Sequence, residues 1–441
     1  MLFRISVIAA VLFAASPFLY AQREGFVTAK EGRFYVHGKP YYFIGANYWY
    51  GGLLGLEKDK KRGVDRLRRE LDFLKANGVT DLRLMGGAEG AGPLNGVNRV
   101  GPPFQTSQGW FDESVLDGLD LLLDEMAKRD MRAVIFVSNN WEWSGGFQQY
   151  LIWNKVISDE WRTKKPTWDE LRDNVAKFYT CALCKYSYAR QAARLVRRVN
   201  TINGKKYRND STIMAWQIAN EPRPMRPEAI DAYKRWIAET ALQFKLIAPN
   251  HLVSIGHEGW IGSEGMEVYE QIHADPNVDY LTIHIWPKNW AWFANGRMAE
   301  EYDKFRGETI KYISDHAAIA AKLKKPMVIE EFGLPRDSQS FDPSSTTKLR
   351  DRYFSEVLSF VGRDTHIAGA NFWAFGGAVR PASLWWKPGS EYVGDPPMEE
   401  QGLYSVFAYD RSTWKVIRSA ANKKTRGVST AGPTMQGAIK H

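Results

Sequence analysis

Two carboxylic acids stand at the ends of apolar runs far apart in the chain. The first closes Trp216-Gln217-Ile218-Ala219-Asn220-Glu221-Pro222, where a Pro stops the extended run. The second lies in Val328-Ile329-Glu330-Glu331-Phe332-Gly333. If both runs are strands of one parallel barrel, Glu221 and Glu331 emerge at the same rim. A pair of carboxyl groups about 5 to 5.5 Å apart is what double displacement at a sugar's anomeric carbon requires: one acid protonates the leaving oxygen, and the other attacks. The pair must ionise differently, so their surroundings must differ.

A candidate cause is Arg83 in Leu82-Arg83-Leu84, a cation on an otherwise apolar strand that could keep Glu331 ionised. Neighbouring residues on a strand point to opposite faces, so Glu330 and Glu331 are not expected to share one role. Glu331, beside the Phe-Gly that ends the run, is the nucleophile candidate, and Glu330 is expected to support it or line a wall.

The elements that must position these groups follow from periodicity. Eight strand candidates occur at Tyr42–Ala46, Asp81–Met85, Arg132–Val137, Met214–Ala219, His251–Ile255, Tyr280–His284, Pro326–Glu331 and Ala368–Trp373. Helical stretches separate them: Leu67, Leu71 and Leu74 share one face, as do Leu116, Leu119, Leu123 and Met126. Alternating strands and helices imply a parallel sheet, and eight units close into a (β/α)8 TIM barrel, with an open doubly wound sheet as the alternative. A β-hairpin around Glu31-Gly32, within Phe26–Pro40, precedes it. The long non-periodic stretches Gly86–Gly109, Asn139–Pro166 and Trp373–Tyr409 are expected to be active-face loops.

Among 441 residues, 44% are hydrophobic and 25% charged, which suits one large globular domain and excludes disordered and fibrous classes. The start, a charged Arg4 and an apolar run to Tyr20 followed by Ala21, has the pattern of an export signal. The expected division is therefore a signal peptide over 1–21, a catalytic barrel over 22–422 and a flexible tail over 423–441. Secretion or periplasmic location follows, with no membrane segment after cleavage. The net charge of +9 is dispersed, so nucleic acid is not the expected partner. Cys181 and Cys184, four residues inclusive, are either a local disulfide or two reduced thiols. The eight His show no His-x-x-x-His spacing, so no metal site is expected, and carboxylate chemistry needs no cofactor.

The motifs Asn220-Glu221-Pro222 and Glu330-Glu331-Phe332-Gly333 together resemble glycoside hydrolase family 5 and its wider clan of retaining barrel glycosidases. Asn220-Glu221-Pro222-Arg223, His284-Ile285-Trp286-Pro287, Asn371-Phe372-Trp373 and Gln401-Gly402-Leu403 are similar to subfamily 7, the β-mannanases, from about Phe26 to Ala420. The resemblance implies Glu221 as acid/base and Glu331 as nucleophile. It places Asn220 on a sugar 2-hydroxyl, His284 beside Glu221 or the sugar, Trp373 under the cleaved sugar, and Arg223 against the leaving group. Many members have Tyr two residues after this His, hydrogen-bonded to the nucleophile. Here stands Trp286, whose indole can donate one hydrogen bond but has no acceptor.

Seventeen Trp residues add candidate sugar platforms. About half of Trp49, Trp141, Trp143, Trp153, Trp290, Trp292, Trp385 and Trp386 are expected to line a cleft, with Trp49 and Trp141 foremost. Glu258 is either a sugar ligand or a surface carboxylate. The implied partner is a β-mannan polysaccharide or oligosaccharide bound by a monomer. An endo-mannanase leads, with a β-1,4-glucanase, an exo-acting mannobiohydrolase and a non-catalytic carbohydrate-binding barrel as alternatives.

Overall fold

A computed structural model describes residues 25–429 apart from 343 and 365, with side chains of the last helix described to 423. The expected signal peptide lies outside these residues. The described chain begins with a three-stranded antiparallel sheet, β1 (Thr28–Lys30), β2 (Arg33–Val36) and β3 (Lys39–Tyr41). The hairpin was expected as two strands. The third, Lys-Pro-Tyr, lacks the apolar alternation that marks a strand and forms because β2 offers it an edge.

Beyond it come β4 (Phe43–Asn47) and β5 (Asp81–Met85), then a short excursion, β6 (Gln105–Ser107) with β7 (Trp110–Phe111). The series continues with β8 (Arg132–Phe136), β9 (Ile213–Gln217), β10 (Leu252–Ser254), β11 (Leu281–Ile285), β12 (Met327–Phe332) and β13 (Ile367–Phe372). A final pair, β14 (Phe375–Gly377) and β15 (Val406–Phe407), braces the loop after β13. Eight strands form one parallel sheet in the order β10-β9-β8-β5-β4-β13-β12-β11. The remaining seam is bridged by Asp279 N–H to Val253 O (2.8 Å) and His284 N–H to Glu258 O (3.0 Å), so the (β/α)8 barrel is nearly closed. Every expected strand is found, each within two residues of its expected bounds.

The helices bury the faces their spacing marked. Helix Lys60–Ala76, capped by Asp59 accepting from Arg62 N–H, buries Leu67, Leu71 and Leu74. Helix Leu116–Ala127 buries Leu119, Leu123 and Met126. The stretch Asn139–Pro166 holds a helix, Gly146–Trp153, that periodicity could not reveal, because Gln148 and Gln149 are as buried as Phe147 and Leu151. Cys181 and Cys184 form a disulfide at the start of helix Ala182–Arg197. The last helix is Arg411–Ser429, so the expected tail boundary at 423 falls inside it, and 430–441 lie outside the described residues. No helix among the described residues is long and apolar enough to cross a membrane.

The strand ladder carries one irregularity that matters for the site. Between β11 and β12, Ile283 pairs with Ile329 but His284 pairs with Glu331, so Glu330 is the extra residue of a bulge. The alternation expected to send Glu330 and Glu331 to opposite faces fails there. Both carboxyl groups enter the barrel interior.

Candidate active site

Glu221 sits beyond β9, held by two neighbouring loops. Asn220 N–H bonds Ser138 O (2.8 Å), and Glu221 N–H bonds Gly256 O (2.9 Å). These contacts hold Glu221 at φ 48°, a left-handed conformation that a non-glycine residue keeps only when its surroundings enforce it. Glu331 comes from β12 across the barrel. Oxygens of Glu221 and Glu331 and the His284 Nδ1 all lie within 4.8 Å of one another, and all three residues are buried.

Fixed donors distribute charge over this cluster. The fully buried Arg83 donates to Gln217 Oε1 (2.8 Å), Asn47 Oδ1 (3.2 Å), Asn220 Oδ1 (2.8 Å) and Glu331 Oε1. His284 Nδ1 lies 2.6 Å from Glu221 Oε1 and 3.3 Å from Glu331 Oε2. Trp141 Nε1–H donates to Glu221 Oε2 (2.5 Å). Burial pulls the His284 imidazole down, but the Glu331 charge, the bond to Glu221 and the nearby Glu330 carboxyl group more than reverse this, raising it to about 10. Burial likewise works against the Glu221 carboxylate, yet the His284 bond and charge, Arg223 and Trp141 bring it down to about 2. The two opposite shifts have one cause: His284 and Glu221 favour each other's charged forms across one short hydrogen bond. Burial lifts Glu331 to about 7 against the pull of His284 and Arg83.

Around the pair is a cavity of about 470 Å³, within the range of small-ligand sites. In its lining Trp141, Trp168, Arg223 and Glu258 contact one another, Trp286 packs on Trp373 as a second wall, and Pro396 and Glu399 also line it. Gly333 lets this second wall close up: a Cβ there would sit 3.1 Å from both the Trp286 and the Tyr404 rings.

A family profile described as GH family 5 beta-mannosidase-like matches residues 24–428. The chain belongs to that family. It is 30% identical over 405 residues to the "putative mannan endo-1,4-beta-mannosidase 9" of Oryza sativa subsp. japonica, covering 88% of this chain and 90% of the relative. A crystal structure of a glycoside hydrolase family 5 mannosidase from Rhizomucor miehei superposes with a TM-score of 0.83 at 31% identity, covering 92% of this chain and 99% of that one. The endo-1,4-beta-mannanase from Rhizomucor miehei has a TM-score of 0.67 at 23% identity, covering 91% and 99%, which supports the fold alone.

Most of the expected site residues of this family 5 glycoside hydrolase meet at the cavity: Arg83 beneath it, and Asn220, Glu221, Arg223, Glu258, Trp286, Glu331, Trp373 and Trp141 in its lining, with His284 behind them. Asn220 is held from both sides, accepting from Arg83 and donating to Asn139 Oδ1 (3.0 Å). Glu258 is no surface carboxylate. It is buried and accepts from Arg223 Nε and Nη2 (2.8 Å for the latter), and burial raises it to about 7 against the pull of Arg223. Arg223 in turn lies over the Trp141 and Trp168 rings, 5.0 and 5.8 Å from their centroids.

One expectation requires correction, and one role left open is filled. Trp49 does not line the cleft: it is 1% exposed, its indole N–H donates to Gly394 O (2.7 Å), and its ring packs against Trp143, Tyr50 and Tyr392. Trp286 makes no hydrogen bond to Glu331 among the described residues. Its ring meets Trp373 edge-on at 6.0 Å and Tyr404 at 4.9 Å, so it is a wall of the cavity. Of the eight candidate platforms, Trp141, Trp143 and Trp290 reach the lining.

Sequence reading missed Trp168, Asn289, Glu399, Asn47 and the inward Glu330. Trp168 was legible in part, since it opens a helix with the Thr167–Glu170 capping box directly after an expected active-face loop. No cation is needed to explain the cluster of Glu221, His284 and Glu331. His284 Nδ1 itself faces the two inner oxygens, Glu221 Oε1 and Glu331 Oε2, while Arg83 and Trp141 N–H groups hold the outer ones, Glu331 Oε1 and Glu221 Oε2.

Proposed function

We propose that this hydrolase is an exported β-1,4-mannanase that cleaves with retention, Glu221 serving as acid/base and Glu331 as nucleophile. The observation that carries the assignment is the separation of the two carboxyl groups. Their nearest oxygens lie within 4.8 Å of each other, which supports the close retaining arrangement, about 5 to 5.5 Å between carboxyl groups, over the wider inverting one of about 6.5 to 9.5 Å. Glu331 attacks the anomeric carbon while the proton on His284 Nδ1 passes to Glu221 and from there to the leaving oxygen. Water, deprotonated by Glu221, then releases the sugar from Glu331.

Mannan as substrate is supported by the mannan-hydrolysing relatives and by the motifs resembling subfamily 7. The Rhizomucor miehei mannosidase, which has also been solved in complex with mannosyl-fructose, points the same way. Export is supported by the charged start and apolar run before Ala21. The test is a pair of variants: Glu221→Ala and Glu331→Ala should each abolish mannan hydrolysis, with azide restoring glycosyl transfer to the first through its unprotected intermediate and taking the nucleophile's place in the second. The azide adducts should have opposite anomeric configurations, β for Glu221→Ala and α for Glu331→Ala. Near wild-type activity in either variant defeats the assignment, and activity on carboxymethyl cellulose without activity on mannans defeats the substrate.

A second reading, release of short units from a chain end, is favoured by the compact cavity and its wall of Pro396, Met398 and Glu399. Mannohexaose separates the two: a ladder of products marks internal cleavage, and a single short product from one end marks terminal cleavage.

A further inference from the structure

The bulge in β12 brings a third carboxyl group under the catalytic pair, and the mechanism above gives it no task. Glu330 is fully buried. Its Oε1 accepts from Gln217 Nε2, and its backbone carbonyl accepts from Asn47 Nδ2 (2.9 Å). Its Oε2 is 3.5 Å from Arg83 Nε and 3.6 Å from His284 Nε2. Neither Glu330 Oε2 nor His284 Nε2 has a hydrogen-bond partner at normal distance, although both are buried. Two complementary orphan atoms facing each other inside a barrel represent an unusual cost unless they serve each other.

We propose that Glu330 is a positioning residue that pins the Nε2–H of His284, so that the proton free to move is the one on Nδ1, beside Glu221. An imidazole has two nitrogens, and a proton store works only if the correct one gives up its proton. With Nε2–H directed at Glu330, loss of the Nδ1 proton to Glu221 leaves a neutral tautomer that can take the proton back from Glu221 through the same nitrogen. Without Glu330, either nitrogen could deprotonate, and half of the chemistry would face away from the substrate.

The groups facing His284 are Glu221, Glu331 and Glu330, with Arg83 beyond them and His257, Glu258 and Arg223 on the neighbouring strand ends. Those facing Glu330 are Arg83, Gln217 and His284, with Asp81, Tyr269 and Tyr280 within electrostatic reach. Glu330 raises the protonation tendency of both His284 and Glu331. Neutralising it by Glu330→Gln, which preserves shape, should therefore move both limbs of the pH–rate profile to lower pH.

The inference rests on Glu221 as acid/base. The expected result for Glu330→Gln is a fall in kcat of about tenfold at the optimum, within the scale of acid–base contributions. KM should be unchanged, and both limbs should be displaced by about one pH unit. Unchanged kcat and limbs overturn the inference, and so does a fall in kcat with both limbs fixed, which marks mere structural support. Neutron diffraction on the wild-type enzyme gives a second readout that does not depend on the variant folding. Deuterium on Nε2 facing Glu330 supports the inference, and an Nε2 without it overturns it. Failure of the acid/base reading is seen separately, as retained activity in Glu221→Ala.

Discussion

The indole nitrogen of Trp141 donates to the Glu221 carboxylate at 2.5 Å, while the same ring lies 5.0 Å beneath the Arg223 guanidinium. One side chain thus fixes both the proposed acid/base and the cation beside it. Trp141→Phe keeps the ring and removes the donor. It should lower kcat by about tenfold, the scale of one charge-assisted hydrogen bond, with a smaller change in KM. Steady-state kinetics on mannotetraose check this, and a change confined to KM would mean that the indole only binds sugar.

Arg83 donates to four different side chains from one buried guanidinium. Lysine cannot reproduce that fork. Arg83→Lys should reduce kcat by at least about a hundredfold, since an ammonium keeps the charge but cannot hold Glu331 and Asn220 in place together with Gln217 and Asn47. It should also destabilise the fold by about 3 kcal/mol, the lower end for breaking a buried charged pair. Single-turnover kinetics and denaturant melts measure the two effects independently.

Stability should fall in acid. Burial lowers His251 to about 4, and His273 and His316 are lowered by burial to about 3 and about 4. Between these values and about 6.5 the unfolded chain binds protons that the folded chain refuses. The stabilisation is complete above about pH 6.5 and is lost as pH falls toward 4 and below. Asp81, raised to about 8 chiefly by burial, acts in the opposite sense and loses stability as pH rises from about 4 to 8. His251→Gln should flatten the acid slope by up to about 3 kcal/mol, read from urea melts at pH 7 and pH 4.

The disulfide between Cys181 and Cys184 closes a loop with a sequence separation of only 3. A loop that short removes little entropy from the unfolded chain, about 2 kcal/mol at most. Reduction, or Cys181→Ser with Cys184→Ser, should lower Tm modestly and leave kcat/KM unchanged. A loss of activity would show that helix Ala182–Arg197 transmits strain to the site.

The barrel was legible because its strands are covered on both faces and so read as short apolar runs ended by Gly, Pro or polar residues. Glu221, Glu331 and Arg83 were legible because a charge on such a run has few innocent explanations. The inward turn of Glu330 was not, since a bulge depends on how two strands align and not on either strand alone. Trp49 was misread for a related reason. Its acceptor, Gly394, belongs to a loop more than three hundred residues later, and only that loop's position decides whether the ring meets solvent.

The bulge also sets the charge of the barrel interior. Three carboxyl groups converge there on one guanidinium and one imidazole. In the proposed mechanism, passage of the His284 proton to Glu221 leaves the carboxyl groups of Glu330 and Glu331 facing the single cation of Arg83. The pocket is then an electrostatic well for a cation at the anomeric centre, which is what an oxocarbenium-like transition state presents. A sugar mimic with a protonated nitrogen at that position should bind far more tightly than its neutral carbocyclic counterpart, and much of that preference should vanish when the third carboxylate is made an amide.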